Sequence, residues 1–116
     1  MSLAPLYDKP AKQGDDFLLG LVYLEDDGIT PIDVTGVKVE FSLAPARGGK
    51  PSFTYTEDDY VTVGTTDGVI TIDVPAEETK KWVQPRLFYE ITLTFPDTTV
   101  LSILEGRILI RREVVV

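Results

Sequence analysis

The 116-residue chain has neither cysteine nor histidine. Without cysteine there is no disulfide, no thiol nucleophile and no thiolate metal ligand. Without histidine the commonest general base near neutral pH and the commonest transition-metal ligand are gone too. Together these absences point to a protein that is not an enzyme and holds no cofactor. Basic residues are scarce: 11 Lys and Arg stand against 19 Asp and Glu, a net charge of -8 with a pI near 4.4. Nucleic acid is bound by neutralising its phosphates, and anionic membranes attract basic surfaces, so neither is an expected partner. Acidity favours solubility and at most a basic face on a partner. No stretch approaches the roughly 20 apolar residues of a membrane span. Met1-Ser2-Leu3 lacks the basic and apolar parts of a signal peptide.

What is present is an ordinary globular composition at single-domain length, enough for one core without covalent staples. Residues 1–14, with Pro5 and Pro10, have no period and read as an N-terminal extended arm. Residues 15–116 read as one β-sandwich domain containing seven strands. Phe17 to Leu24 is apolar on both faces, which predicts a strand covered on both sides, with Gly20 admitting a close backbone neighbour. Val37, Val39, Phe41 and Leu43 alternate with Lys38, Glu40 and Ser42, one face buried and one wet. Phe53 and Tyr55, then Tyr60 to Val63, then Ile70, Ile72 and Val74 supply three more strands.

Pro75 opens a helix over Ala76–Trp82, with Glu77 and Glu78 early and Lys80 and Lys81 late, as the helix dipole favours. Two turns cannot stand alone, so Trp82 is expected to plug into the sandwich. Leu87–Phe95 and Val100–Ile110 complete the strands, and Gly106 suggests a bulge in the last. Strands at this spacing, one short helix and no βαβ alternation imply an all-β, immunoglobulin-like antiparallel two-sheet sandwich. Its core is expected at Val39, Phe41, Ile70, Ile72, Ile91 and Leu93.

Few constellations suggest chemistry. Asp33-Val34-Thr35-Gly36 is similar to the Asp-Thr/Ser-Gly loop of aspartic proteases, but the inserted Val34 breaks the triplet, and a plain turn is the better reading. Asp15-Asp16, Glu25-Asp26-Asp27 and Glu57-Asp58-Asp59 are consecutive, whereas calcium loops place their carboxylates on alternate residues. They read as solvated turn acids. No carboxylate pair is nominated for glycoside hydrolysis. Tyr55, Tyr60, Tyr89 and Trp82 could form a sugar-stacking platform, although Tyr89 and Trp82 alternate as core positions do. Arg107, Arg111 and Arg112 gather positive charge near the C-terminus. They are either a solvated strand face or a contact with an acidic neighbour. Val114, Val115 and Val116 form an apolar β-prone run expected to pair within the fold or against another subunit.

Taken in order, several segments resemble a family of small tailed-phage and prophage proteins. They are Gln13-Gly14-Asp15, Asp26-Asp27-Gly28, Pro31-Ile32-Asp33-Val34-Thr35-Gly36 and Asp67-Gly68-Val69-Ile70-Thr71-Ile72. Pro75-Ala76-Glu77-Glu78-Thr79, Phe88-Tyr89-Glu90-Ile91, Phe95-Pro96-Asp97 and Leu104-Glu105-Gly106-Arg107 follow. The likeness runs over residues 13 to 114 and is similar to the N-terminal immunoglobulin-like domain of phage baseplate upper proteins. Each segment is turn chemistry plus strand, and their order carries the resemblance. It implies a non-catalytic structural or assembly component of a tail, baseplate or neck, assembled in the bacterial cytoplasm, with other virion proteins and its own copies as partners. It transfers no catalytic residues. The runner-up is a carbohydrate-binding or adhesive module on the same fold.

Overall fold

The structure, a computed structural model, describes residues 7–25 and 27–111. Among them run eight strands and one short helix: β1 (Lys9–Lys12), β2 (Phe17–Val22), β3 (Lys38–Ala44), β4 (Phe53–Thr56), β5 (Val61–Val63), β6 (Val69–Val74), α1 (Ala76–Thr79), β7 (Arg86–Thr94) and β8 (Val100–Arg111). One sheet has the order β1-β8-β7-β3-β4 and the other β2-β6-β5. Every pairing is antiparallel except β1 with β8. This is an immunoglobulin-like two-sheet sandwich, the fold class that the strand pattern predicts.

The period of two explains the layering. Along β3, Val39, Phe41 and Leu43 point inward and are essentially inaccessible to solvent, while Lys38 and Glu40 face water. Tyr89, Ile91 and Leu93 on β7 meet them in register, and Ile70, Ile72 and Val74 come from the opposite sheet. All six expected core residues are buried. Aromatic rings fill the centre. Phe17 stacks on Phe41 with centroids 6.2 Å apart, Tyr89 meets Phe41 edge-on at 5.8 Å, and Trp82 meets Phe17 edge-on at 5.4 Å.

Five expectations change. Part of the arm is a strand: Lys9 to Lys12 pairs with Ile108 to Arg111, so the arm covers the edge of β8. The strand beginning at Phe17 is open on one side, with Leu18 at 58% and Val22 at 52% exposure. It is an edge strand of the smaller sheet, and among the described residues no layer lies over that outer face. Gly20 likewise faces open space rather than a close neighbour.

The helix is one turn long. After Thr79 the backbone tightens, Lys81 N donating to Glu78 O and Trp82 N to Thr79 O, and this three-residue spacing swings the fully buried indole inward. The turn is fastened to the β1–β2 connection: Asp16 Oδ1 accepts from Ala76 N at 2.8 Å, and buried Thr79 Oγ1 donates to Asp15 O at 2.8 Å.

Finally, the bulge in β8 lies at Ile103. Leu104 pairs with Ile91 and Ser102 with Thr92, so Ile103 is the extra residue. Gly106 pairs regularly with Tyr89, and its missing side chain serves another purpose. A Cβ there would overlap the backbone of Tyr7, which runs alongside as β1 begins.

Candidate interaction surface

The outer face of the five-stranded sheet gathers the most chemistry. On β7 the outward positions are Arg86, Phe88 and Glu90, and on β8 they are Glu105, Arg107 and Leu109. Register sets Phe88 between Arg107 on one side and Ala44 on the other. Because Ala44 is small, the β3–β4 loop can lay Arg47 over the ring. Its guanidinium lies 5.5 Å from the Phe88 centroid, and that of Arg86 lies at 5.8 Å. Such contacts are worth ~0.5–1 kcal/mol when exposed and hold the cations in place. Asp8, Arg47, Arg86, Phe88 and Arg107 line a cleft of about 410 Å³. An adjoining hollow of about 270 Å³ continues toward Glu40, Glu90 and Glu105.

Of the three arginines, Arg107 is already engaged. Its backbone N donates to Asp8 Oδ1 at 2.9 Å, and its Nη2 and Nε donate to Asp8 Oδ2 at 2.7 and 3.2 Å. These bonds hold the Asp8 carboxyl below the ordinary carboxylate range and raise the guanidinium in turn. Arg47 Nη1 makes a longer contact of 3.6 Å with Glu105 Oε1. Arg86 has no carboxylate partner among the described residues. An anion entering the cleft would therefore meet Arg86 uncompensated and Arg47 only loosely paired.

The expected contact residues are thus split. Arg107 meets an acid, but that acid is Asp8 of its own chain. Arg111 ends β8 beside Lys12, exposed, and its carbonyl accepts from Gln13 N at 2.8 Å. Arg112, Val114, Val115 and Val116 lie outside the described residues. Sequence reasoning missed Arg47, Arg86 and Phe88. The outward parity of Arg86 and Phe88 could have been read from the alternation of β7, but nothing local places a loop arginine over that ring.

The other constellations resolve into structure. Asp33 Oδ1 accepts from Thr35 N at 2.8 Å, Gly36 has φ 75° and Val34 is buried, which is the expected turn. Asp27, Asp67 and Asp97 each accept from backbone N–H groups of their own turns. Side-chain hydrogen bonds from Thr30, Thr35 and Thr99, followed by the backbone bonds, hold Asp27, Asp33 and Asp97 below their ordinary value. Among the described residues, no group of three or more carboxylates could hold a metal ion. The aromatic platform does not form: Trp82, Tyr89 and Tyr55 are buried and Tyr60 is half-buried.

No family model matches the chain, and no curated protein matches it. Among solved structures, it is similar to one described as Drosophila OTK, extracellular domains 3-5, with 12% identity and a TM-score of 0.46. The match covers 95% of this chain and 34% of that one, so the chain spans about a third of its length. No helix among the described residues is long and apolar enough to cross a membrane.

Proposed function

We propose that the chain is a non-catalytic structural or assembly component of a phage or prophage particle, in its tail, baseplate or neck. It works by contacts with other virion proteins and with copies of itself. The ordered segments from Gln13 to Arg107 support the particle. The contact mode is supported by one observation above the rest: the Arg47–Phe88–Arg86 cleft opens outward from a stiff sheet, with Arg86 left uncompensated on an otherwise acidic protein. Cations held over a ring lose little freedom on meeting an acidic group, so a rigid sheet presents them at low entropic cost. The run from Arg111 to Val116 serves as a second contact by pairing with a neighbouring strand edge.

The test is composition of the particle. Portal, tape-measure or tail-fibre genes beside this one would identify the particle to purify. Mass spectrometry should then find the protein at fixed stoichiometry, and deletion of Glu113–Val116 should lower its incorporation while leaving the fold intact. Abundance in the lysate together with absence from purified particles overturns the reading.

A further inference from the structure

The sandwich separates its charge along its length. At one end, four turns meet: Val34 N donates to Thr65 O at 2.9 Å, Tyr23 N donates to Gly68 O at 2.8 Å, and a Cβ on Gly36 would lie 3.3 Å from Pro96 Cγ. These contacts bring Glu25, Asp27, Asp33, Asp67 and Asp97 together, all exposed. Four of them are fixed by accepting bonds from their own turns, so their charges are held in place. The other end is where β7 begins and β8 finishes. Lys12 pairs with Arg111, Gln13 Nε2 reaches Lys80 O at 2.8 Å, and Ile110 N donates to Pro85 O, which sets Arg86 at the same corner. Arg47 joins it over Phe88. Acids share that end: Asp15 and Glu77 are exposed there, Asp16 accepts from Ala76 N, and Glu78 binds Tyr55 and Lys81. The nine residues of β7 separate the two ends by about 26–30 Å at strand rise.

We propose that the basic end of one copy, with the Arg47–Phe88–Arg86 cleft as receptor, docks head to tail on the acidic turns of the next copy. This rests on the assembly reading and names one of its partners. A chain of net charge -8 repels its own copies in most orientations. The head-to-tail approach is the one that sets unlike charges face to face. Such a contact joins different surfaces of the two copies, and it propagates into a ring or a filament.

Size sets its strength. With short axes of 24 × 24 Å, one end offers roughly 600 Å² to a partner, at the low end of specific interfaces. Each contact is therefore weak and salt-sensitive, populated at high concentration and reinforced where the chain closes into a ring.

Two variants of the full chain test this. Arg86→Glu with Arg47→Gln disables the basic end. Glu25→Lys with Asp33→Asn and Asp97→Asn disables the acidic end while keeping amide acceptors for the turns. Circular dichroism and hydrogen exchange verify both folds. In sedimentation at low ionic strength and millimolar concentration, the wild type should form chains of several copies that dissolve in high salt. Each variant alone should be monomeric, its association weakened about tenfold or more. Their mixture should form dimers and nothing longer, because one intact end remains on each. A monomeric mixture, or a variant that associates like the wild type, overturns the head-to-tail arrangement. So does a wild type that stays monomeric. The wider assembly reading stands or falls separately, on presence in purified particles.

Discussion

Trp82 Nε1 donates to Tyr55 Oη at 3.2 Å, and Tyr55 Oη donates onward to Glu78 Oε2 at 2.9 Å. The relay ties the plug residue to β4 and then back to α1, from which the plug descends. The only polar atom of the indole is thereby satisfied at a site closed to water, so the full ring can be buried.

Trp82→Ala should lower stability by ~3–5 kcal/mol, as for other large aromatics removed from a core. Tyr55→Phe keeps the packing but leaves the indole N–H without its acceptor, and should cost ~1–3 kcal/mol. Urea denaturation measures both. If Tyr55→Phe proves neutral, the relay contributes nothing beyond packing.

Burial raises the Tyr55 and Tyr89 phenols well above their ordinary value of 10.0. In both, the fold favours the neutral form. Once the pH passes about 10, the unfolded chain loses these protons while the folded chain keeps them, so stability present below that pH is lost above it. Tyrosinate absorbance, compared between the wild type and the Tyr55→Phe and Tyr89→Phe variants, should show these two phenols ionising only on unfolding. Ionisation of Tyr55 and Tyr89 near pH 10 in the folded protein would contradict this burial.

Phe41→Ala should cost ~3–5 kcal/mol in urea or thermal unfolding, because the ring is fully buried against Phe17, Tyr55 and Tyr89. A loss below about 1 kcal/mol would place Phe41 outside the core.

Phe41 also shows what the sequence makes legible. Its face follows from strict alternation with Lys38, Glu40 and Ser42, and so do those of Ile70, Ile72, Ile91 and Leu93. Alternation states which face a residue takes, but not whether a second layer covers the other one. Leu18 and Val22 look like positions of a fully covered strand, yet β2 is an edge strand with its outer face open. Lys9 to Lys12 carries no period because its pairing with β8 depends on a partner about a hundred residues away. The cleft was hidden for the same reason. Arg47, Arg86 and Phe88 meet through sheet register and a loop, and neither is written in local sequence.

The Asp8–Arg107 pair predicts how the arm responds to acid. The folded Asp8 carboxyl lies below its ordinary 3.8, so its contribution is present above that pH and is lost as pH falls through the lowered folded value. Hydrogen-exchange protection at Tyr7 and Gln13, whose amides donate to Glu105 and Arg111 of β8, should fall in acid before that of β3 and β7 does. Asp8→Asn should show the lower protection at neutral pH already, with little further loss of protection on acidification. Equal acid sensitivity of β1 in both proteins would detach the effect from this carboxylate.

Gly106 and Gly20 both sit in strands, and alanine should have opposite effects at the two positions. At Gly106, the added Cβ would overlap backbone atoms of Tyr7, and backbone cannot swing aside as a side-chain tip can. The start of β1 must then move off β8, breaking the Tyr7 N to Glu105 O bond of 2.8 Å and the bond from Tyr89 Oη to the Tyr7 carbonyl. The Tyr89 hydroxyl, part-buried, would lose its acceptor, so Gly106→Ala should cost ~1–3 kcal/mol. Exchange at the Tyr7 amide should rise sharply while the β3–β7 ladder stays protected. At Gly20 a Cβ would meet nothing within 4 Å and the backbone φ is not positive. There alanine restricts only the unfolded chain, and Gly20→Ala should leave stability unchanged or raise it by ~0.4–1 kcal/mol. Paired thermal melts of the two variants decide the matter. A harmless Gly106→Ala would mean that the arm does not lie against β8, and the covered edge of the larger sheet would have to be reassigned.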